Sequence, residues 1–209
     1  MPFESLCKTN PLVVVGIDPG TLVLGFGVVG RRSGRLVHVD HGAFRAQATD
    51  SVAQRLKVLA AGLRQMLAHH RPHVVALEEA FVSRNVQSAL RIGEARGIVL
   101  CIAAEAGIPV VDFPTARVKA AVAGHGGATK QKVRTMVMRE LNLAAEPTPL
   151  DASDALALAL ALLHDRRLDP RFSATAKPRN KLREIALIEK RAAKASVASA
   201  EPQRKRRRT

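Results

Sequence analysis

Acidic side chains follow two apolar runs of the sequence and precede a third, where carboxylates from distant parts of the chain could converge. Asp18 ends the run LVVVGID, and Glu78 and Glu79 follow the run VVAL. Asp151 and Asp154 precede the run ALALALALL, and their spacing of three places both carboxylates on one side of a helical turn. Mg²⁺ prefers such oxygen ligands, and two ions together can hydrolyse a phosphodiester. These residue types therefore indicate metal-dependent phosphodiester chemistry.

Each of these acidic residues also has a purely structural interpretation. An aspartate before Pro-Gly often forms a turn, glutamates at a strand end simply meet solvent, and aspartates at a helix start suit the N-cap and the helix dipole. Successive strand residues face opposite sides, so only one of Glu78 and Glu79 would point into a common site. Local patterns leave both interpretations open. The set as a whole favours a site, because clustered carboxylates repel one another and a divalent cation relieves that repulsion.

The net charge of the chain favours a polyanionic partner. The 209 residues carry 33 Lys and Arg against 18 Asp and Glu, a formal charge of +15. Nucleic acid is the first class of partner for such a charge and an anionic membrane the second. From Lys177 onward the chain has twelve Lys or Arg and three Glu. This basic tail has two compatible interpretations, a solvated flexible segment and a phosphate-binding arm.

Cysteine usage and hydropathy exclude several classes of protein. Cys7 and Cys101 are far apart and show no CxxC spacing, which argues against a disulfide framework or a structural zinc site. Cys101 lies in an apolar run, so we expect it in the core. No apolar segment of about 18 residues and no signal-peptide pattern occurs, so we expect a soluble, cytoplasmic protein without membrane association.

The elements that must position the carboxylates follow from periodicity and turn signals. Three apolar runs with short links predict an antiparallel meander, after which helices alternate with two further strands and two helices end the pattern. The run ALALALALL alternates as a strand would, but Ala and Leu are strong helix formers, so we predict a helix. The expected fold is α/β, with a mixed five-stranded sheet (three antiparallel strands, then two parallel strands) flanked by helices. Expected domain bounds are an N-terminal extension over 1–11, a nuclease domain over 12–168, and a basic, flexible tail over 169–209.

Four motifs in order, GIDPGT, LEEAF, NVQSALRIGEARG and DASDALALA, closely resemble those of RuvC-type crossover junction endodeoxyribonucleases, which are Holliday junction resolvases of the ribonuclease-H-like superfamily. The resemblance runs from about Val13 to about Arg166. It implies a ribonuclease-H-like fold and a homodimer that nicks two opposed strands of a four-way DNA junction symmetrically, in recombination and repair. The implied products carry 5′-phosphate and 3′-hydroxyl ends. The implied cofactor is Mg²⁺, two ions per site with Mn²⁺ as a substitute, and a branch-migration motor complex is the implied protein partner.

The resemblance also assigns residues to roles. It implies a four-carboxylate site in which Glu78, rather than Glu79, directly follows the last aliphatic residue of its strand; the four are Asp18, Glu78, Asp151 and Asp154. Phe81 matches an aromatic residue that stacks on an unpaired base, although a Phe is otherwise a core residue. Lys119 and Lys130 match cations near the scissile phosphate, where the alternative is a surface lysine. Weaker candidates for DNA contact are Arg84, Asn85, Ser88, Lys132 and Arg134.

Two glycines on the predicted long helix, Gly93 and Gly97, lie four residues apart and suit a close backbone approach. A tight contact within the chain and the dimer interface of the family are both open interpretations.

Other functions fit parts of the pattern. DPGT also begins the phosphate loop of actin-like kinases, but those need a chain about twice as long and a second phosphate loop that we do not find. A non-catalytic protein that binds DNA structure would use the acidic residues as caps and turn formers. A related nuclease could act on RNA or simple duplex. The ordered motifs favour the junction endonuclease over all three.

Overall fold

The structure is a computed structural model that describes residues 12–79 and 86–165. A mixed five-stranded sheet lies at the centre of this part of the chain. The strands are β1 (Leu12–Asp18), β2 (Val23–Arg32), β3 (Arg35–Arg45), β4 (Val74–Glu78) and β5 (Val110–Phe113). The helices within these ranges are α1 (Val52–His70), α2 (Val86–Glu105), α3 (Thr115–Ala123), α4 (Lys130–Glu140) and α5 (Leu150–His164).

The strand order is β3-β2-β1-β4-β5, with β1 at the centre. β2 is antiparallel to both β1 and β3, whereas β4 is parallel to β1, and β5 is parallel to β4. The predicted sheet, three antiparallel strands followed by two parallel ones, is therefore confirmed. The helical interpretation of ALALALALL is also confirmed, because this run forms α5.

The side chains of β1 and β4 alternate between two core layers. Val14 of β1 and Ala76 of β4 belong to the layer formed with α3, α4 and α5. Val15 and Leu77 belong to the opposite layer, formed with α1 and α2. By the same alternation, the residues that end these strands, Asp18 and Glu78, face the α5 side of the sheet.

Helix α5 lies directly on the sheet because glycines of β1 and β2 leave room for its backbone. A Cβ built at Gly16 would stand 1.9 Å from a carbonyl oxygen of α5, and one built at Gly27 would stand 2.6 Å from a backbone nitrogen of that helix. At Gly25 the corresponding distance is 2.4 Å, to the carbonyl oxygen of Asp151. Real Cβ atoms do not make such contacts, so each position requires glycine while α5 keeps this place.

Helix α1 has a side-chain cap at its start and a left-handed residue after its end. The Ser51 side chain accepts a hydrogen bond from the backbone N–H of Gln54, at 3.3 Å. Arg71 ends the helix with φ 45°, and Pro72 follows.

Helix α2 corrects the prediction for Cys101, which is exposed rather than buried in the core. Its Sγ donates to Oε1 of Glu105 at 3.5 Å. The reason is that α2 is apolar around most of its circumference, while the sheet and α1 cover only one side. The uncovered side includes Val86, Leu90 and Leu100, whose exposed fractions are 70%, 58% and 41%.

Several predictions concern residues outside the described ranges. These are the N-terminal extension over 1–11, the basic tail over 169–209, and three DNA-contact candidates: Phe81, Arg84 and Asn85. Within the described ranges, no helix combines the length and apolar character needed to cross a membrane.

Candidate active site

The predicted acidic residues meet at one edge of the sheet. Ile17 of β1 pairs with Leu77 of β4, so the residues that follow them, Asp18 and Glu78, end neighbouring parallel strands on the same face. Asp151 and Asp154 lie in the first turns of α5, which packs on that face. The negative charges of Glu78, Asp154 and Asp151 all act on Asp18. The structure thus brings the four carboxylates together.

The ionisation of Asp18 reflects this neighbourhood. Its pKa is raised from 3.8 to about 7, first by burial, and then by the negative charges of Glu78, Asp154 and Asp151. The positive charge of Lys130 acts in the opposite direction. Without a further cation, Asp18 therefore holds a proton over most of the acidic pH range.

A cavity of about 100 Å³ opens beside these carboxylates. Three of them line it, whereas Asp151 contributes its charge to Asp18 from outside the lining. The polar residues of the lining are Asp18, Glu78, Asp154, Thr115, Lys119 and Lys130. The cavity is therefore lined by two lysines, from α3 and α4, together with carboxylates from β1, β4 and α5.

Two of the carboxylates have partners within the site. The Glu78 Oε1 atom accepts a hydrogen bond from the Thr115 hydroxyl at 2.6 Å. The Lys130 ammonium group lies 3.3 Å from Oδ2 of Asp154. Because the Lys130 side chain is 70% exposed, this ion pair stabilises the fold little, and the ammonium group stays accessible to a phosphate.

The start of α5 shows that its two aspartates do not cap the helix. The N-cap residue is Pro149, and the helix has no side-chain cap hydrogen bond. Asp151 lies inside the first turn, where its charge is favourable to the helix dipole, and Asp154 lies one turn deeper. Neither residue is an N-cap, so capping does not account for the pair.

Glu78 rather than Glu79 belongs to the site. Glu79 is exposed, and its backbone N–H donates to the carbonyl of Phe113 at 2.9 Å. Glu78 faces α5 and lines the cavity. Of the two glutamates, it is therefore Glu78 whose side chain lies on the face that α5 covers.

Arg96 of α2 supports the strand end that carries Glu78, and the sequence analysis missed it. It is buried, and its guanidinium donates to the backbone carbonyl of Glu78 and, at 2.8 Å, to Oδ1 of Asp112 on β5. It therefore ties the ends of β4 and β5 to α2. An arginine between the small residues Ala95 and Gly97 was the available signal, since a buried arginine needs acceptors.

Thr115 and the glycines facing α5 were also missed. Gly25 and Gly27 alternate with period two on β2, which is the pattern of a strand face that another backbone approaches. Thr115 opens a helix directly after a strand, a position that many threonines share, so the sequence gives little sign of its contact with Glu78.

The predicted DNA-contact residues within the described ranges lie on three helices. Lys119 of α3 and Lys130 of α4 line the cavity. Lys132 is exposed in the first turn of α4, and its backbone N–H donates to the Thr129 hydroxyl at 3.2 Å. Ser88 is exposed near the start of α2. The two lysines of the cavity are therefore the candidates nearest to the acidic cluster.

Comparison with known proteins identifies the family. The sequence model of the crossover junction endodeoxyribonuclease RuvC matches residues 14–164. Relatives of that name from Protochlamydia amoebophila and Pelobacter propionicus are 42% identical over 152 residues and 43% identical over 165 residues. These alignments cover 73% and 79% of this chain, and 90% and 93% of the relatives. A solved structure of Thermus thermophilus RuvC in complex with Holliday junction substrate is 36% identical, with a TM-score of 0.70, and the match covers 80% of this chain and 99% of that one. The chain belongs to the RuvC family of crossover junction endodeoxyribonucleases.

Proposed function

We propose that this endonuclease cuts Holliday junctions with divalent cations bound by four carboxylates: Asp18, Glu78, Asp151 and Asp154. The observation that carries the proposal is the environment of Asp18. Asp18 and Glu78 end neighbouring strands beneath the first turns of α5, and burial and three neighbouring carboxylates raise the pKa of Asp18 to about 7, so added positive charge is favoured there. The structure of T. thermophilus RuvC in complex with Holliday junction substrate supports the choice of DNA.

The donor set fits a hard divalent ion in its chemistry. Its ligands are carboxylate oxygens from three elements, and they lie beside a cavity that two lysines also line, Lys119 and Lys130. Within residues 12–79 and 86–165, no three His, Cys, Asp or Glu side chains are close enough together to hold one ion as they stand. In this proposal, the aspartate side chains rotate towards Glu78 when a cation binds.

Among divalent ions, Mg²⁺ suits this site best, because the ligands are all oxygen atoms and the cavity retains room for water. We assign two ions to the site, with Mn²⁺ as a functional substitute. When bound at such a site, a pair of divalent ions activates the attacking water and stabilises the leaving 3′-oxygen, which yields 5′-phosphate and 3′-hydroxyl ends.

The protein's own groups orient the DNA strand. Lys119 and Lys130, which line the same cavity as the carboxylates, hold the scissile phosphate and offset charge that develops on it. The remaining proposed DNA contacts are Lys132 in the first turn of α4 and three residues outside the described ranges: Phe81, Arg84 and Asn85. In this proposal, Phe81 stacks on a base that the junction leaves unpaired.

Symmetric nicking of two opposed strands requires two sites related by a two-fold axis, and we assign α2 to the dimer interface. Its uncovered side carries Val86, Leu90 and Leu100. A Cβ built at Gly93 or Gly97 meets no described atom within 4 Å. Within the described chain, therefore, no other backbone makes the close approach that these glycines permit. This favours the interpretation that a second copy of the chain covers the helix. The branch-migration motor complex is the further partner that family membership suggests.

A nicking assay tests the proposed site. The wild-type protein is incubated with a synthetic mobile four-way junction, a matched linear duplex and an RNA hairpin, each with Mg²⁺ or with EDTA. We expect paired, symmetric nicks in the junction alone, dependent on Mg²⁺. Asp18→Asn should reduce the rate by more than about 100-fold while junction binding in EDTA is retained, because binding depends on the basic surface.

Three outcomes would overturn parts of this proposal. Nicking by Asp18→Asn at the wild-type rate would remove Asp18 from the metal site. Equal cutting of the RNA hairpin or linear duplex would assign the enzyme a broader substrate. Tight junction binding without Mg²⁺-dependent cutting would return the four carboxylates to structural roles.

A further inference from the structure

Glu78 has a hydroxyl partner that is fixed by the fold. The Thr115 Oγ1 atom donates to Oε1 of Glu78 at 2.6 Å, a short hydrogen bond of the kind that charged acceptors make. Both residues line the cavity beside Asp18. Asp154, another carboxylate at this cavity, pairs with the exposed ammonium group of Lys130 and not with a hydroxyl.

The register of the sheet sets this contact. Glu78 of β4 pairs with Phe113 of β5, and the backbone N–H of Glu79 donates to the Phe113 carbonyl at 2.9 Å. Thr115 follows Phe113 by two residues and opens α3. The strand pairing that places Glu78 at the site therefore also places the Thr115 hydroxyl beside it.

Helix α3 holds the donor in place. Val118 and Val122 bury the helix in the core layer shared with α5, and Arg117 forms an ion pair with Asp165. Thr115 is also β-branched, which restricts its χ1 rotation. The hydroxyl is thus carried by a short, exposed side chain on an anchored helix, whereas the Lys130 ammonium group lies at the end of a long side chain.

Capping does not explain the hydroxyl. The N-cap of α3 is Pro114, and the helix has no side-chain cap hydrogen bond. The contact that the structure gives to the Thr115 hydroxyl is with Glu78. Its role is therefore to be sought at the site rather than in the helix.

We propose that Thr115 is a positioning residue for catalysis: its hydroxyl occupies one oxygen of Glu78, fixes the carboxylate plane, and leaves the second oxygen for the divalent cation. This inference rests on the proposed function, because it requires Glu78 to be a cation ligand. Partners that orient a ligand in this way commonly change cation affinity by about tenfold or more when they are removed.

The test compares variants that differ in one group. Thr115→Val keeps the shape of the side chain and removes the hydroxyl, Thr115→Ser keeps the hydroxyl, and Thr115→Ala removes it with a residue that favours helix. The matched control is Thr135→Val on α4, where the hydroxyl donates to the Gln131 carbonyl of the same helix. For each protein, Mn²⁺ binding is measured directly by the electron paramagnetic resonance signal of the free ion. The Mg²⁺ concentration at half-maximal nicking and junction binding in EDTA are measured in parallel.

We expect Thr115→Val and Thr115→Ala to bind Mn²⁺ about tenfold more weakly, and to need about tenfold more Mg²⁺ for half-maximal nicking. Thr115→Ser should restore both quantities to within about threefold of wild type, and junction binding in EDTA should be unchanged in all variants. Should Thr115→Val fail to fold, Thr115→Ala gives the same comparison.

Wild-type cation affinity in both hydroxyl-free variants, or an equal loss in Thr115→Ser, would overturn the role of Thr115. The two proposals fail in different ways. If wild-type protein binds Mn²⁺ and nicks the junction, while Asp18→Asn does neither, the site stands whatever the Thr115 variants do. If wild-type protein neither binds the ion nor nicks the junction, the proposed function itself is wrong.

Discussion

Gly25 lies against the main chain of Asp151, and a Cβ built on Gly25 would stand 2.4 Å from the Asp151 carbonyl oxygen. Gly25 is also the residue that pairs with Asp18 across β1 and β2. One close contact therefore sets the height of the first turn of α5 above the sheet, and with it the separation of the Asp18 and Asp151 carboxylates. The geometry of the site depends on the absence of a single methyl group.

Gly25→Ala is expected to damage the site more than the fold. The new methyl group must push the first turn of α5 away from β2, which displaces Asp151 and Asp154 relative to Asp18. A misplacement of about 1 Å costs about 100-fold in rate, whereas overpacking of this kind destabilises a protein by about 1–3 kcal/mol. Junction nicking and urea unfolding of the same preparation measure both quantities.

The matched control for this prediction is Gly30→Ala on the same strand, where the nearest atom to a built Cβ is 3.6 Å away. That variant should nick at the wild-type rate and unfold within about 1 kcal/mol of wild type. Equal nicking by both alanine variants would show that the height of α5 does not set the activity.

Removal of either cavity lysine should slow cutting without much effect on binding. We expect Lys119→Met and Lys130→Met to nick the junction about 100-fold more slowly, because each removes a positive charge aimed at the reacting phosphate. Junction affinity should stay within about threefold of wild type, since each lysine is one of many contacts to a polyanion. Single-turnover rates and binding isotherms at one fixed salt concentration measure the two effects.

Lys57→Met serves as the control for the lysine variants, because Lys57 is an exposed lysine of α1, which packs on the opposite face of the sheet from α5. It should match wild type in both measurements. A uniform loss of affinity in Lys119→Met and Lys130→Met, with the rate on bound junction unchanged, would make them general DNA-binding residues instead.

The positions of two strands and of the carboxylates at their ends could be predicted from the sequence for the same physical reason. An apolar run that ends in Asp or Glu indicates both a buried strand and the point at which it reaches solvent, so Asp18 and Glu78 could be placed at strand ends from pattern alone. The run ALALALALL was placed correctly because helix propensity outweighed its alternation. Strand ends and helix propensity are local properties of the chain, so a local sequence pattern is enough to predict them.

Contacts between elements could not be predicted in this way. The hydrogen bonds of Arg96 to the Glu78 carbonyl and to Asp112 depend on how α2 crosses the sheet, and the contact of Thr115 with Glu78 depends on the register of β4 and β5. The prediction that Cys101 lies in the core was wrong, because an apolar run does not indicate which side of its helix the sheet covers. Packing, rather than periodicity, decides each of these.

The uncovered side of α2 predicts a variant that separates the proposed dimer. Leu90 is 58% exposed on this helix, and a charge there would be buried without a partner in a two-fold interface. We expect Leu90→Glu to be monomeric in analytical ultracentrifugation at concentrations where wild type is dimeric, and to lose paired nicking of one junction. Val37→Glu, at a residue that is 44% exposed on β3, should remain dimeric. Dimerisation of Leu90→Glu at the wild-type concentration would move the interface elsewhere.

The raised pKa of Asp18 predicts opposite effects of pH in the absence and presence of a cation. An acid whose pKa is raised on folding, here from 3.8 to about 7, binds its proton more tightly in the folded state. Its contribution to stability is therefore fully present below about pH 4 and is lost as the pH rises towards about 7. In EDTA, the melting temperature of wild type should fall over this range relative to that of Asp18→Asn, which lacks the titrating group.

A divalent cation competes with that proton, so it should act mainly at high pH. We expect Mg²⁺ to raise the melting temperature at about pH 8, where Asp18 is ionised, and to have little effect at about pH 5.5, where it is protonated. Differential scanning calorimetry of wild type and Asp18→Asn, with Mg²⁺ or EDTA at both pH values, measures this directly. Equal stabilisation by Mg²⁺ at the two pH values, or undiminished stabilisation of Asp18→Asn, would mean that the cation binds away from Asp18. If Mg²⁺ stabilises only wild type, and only at the higher pH, the cation binds at the ionised Asp18 carboxylate, the group whose pKa the neighbouring carboxylates raise.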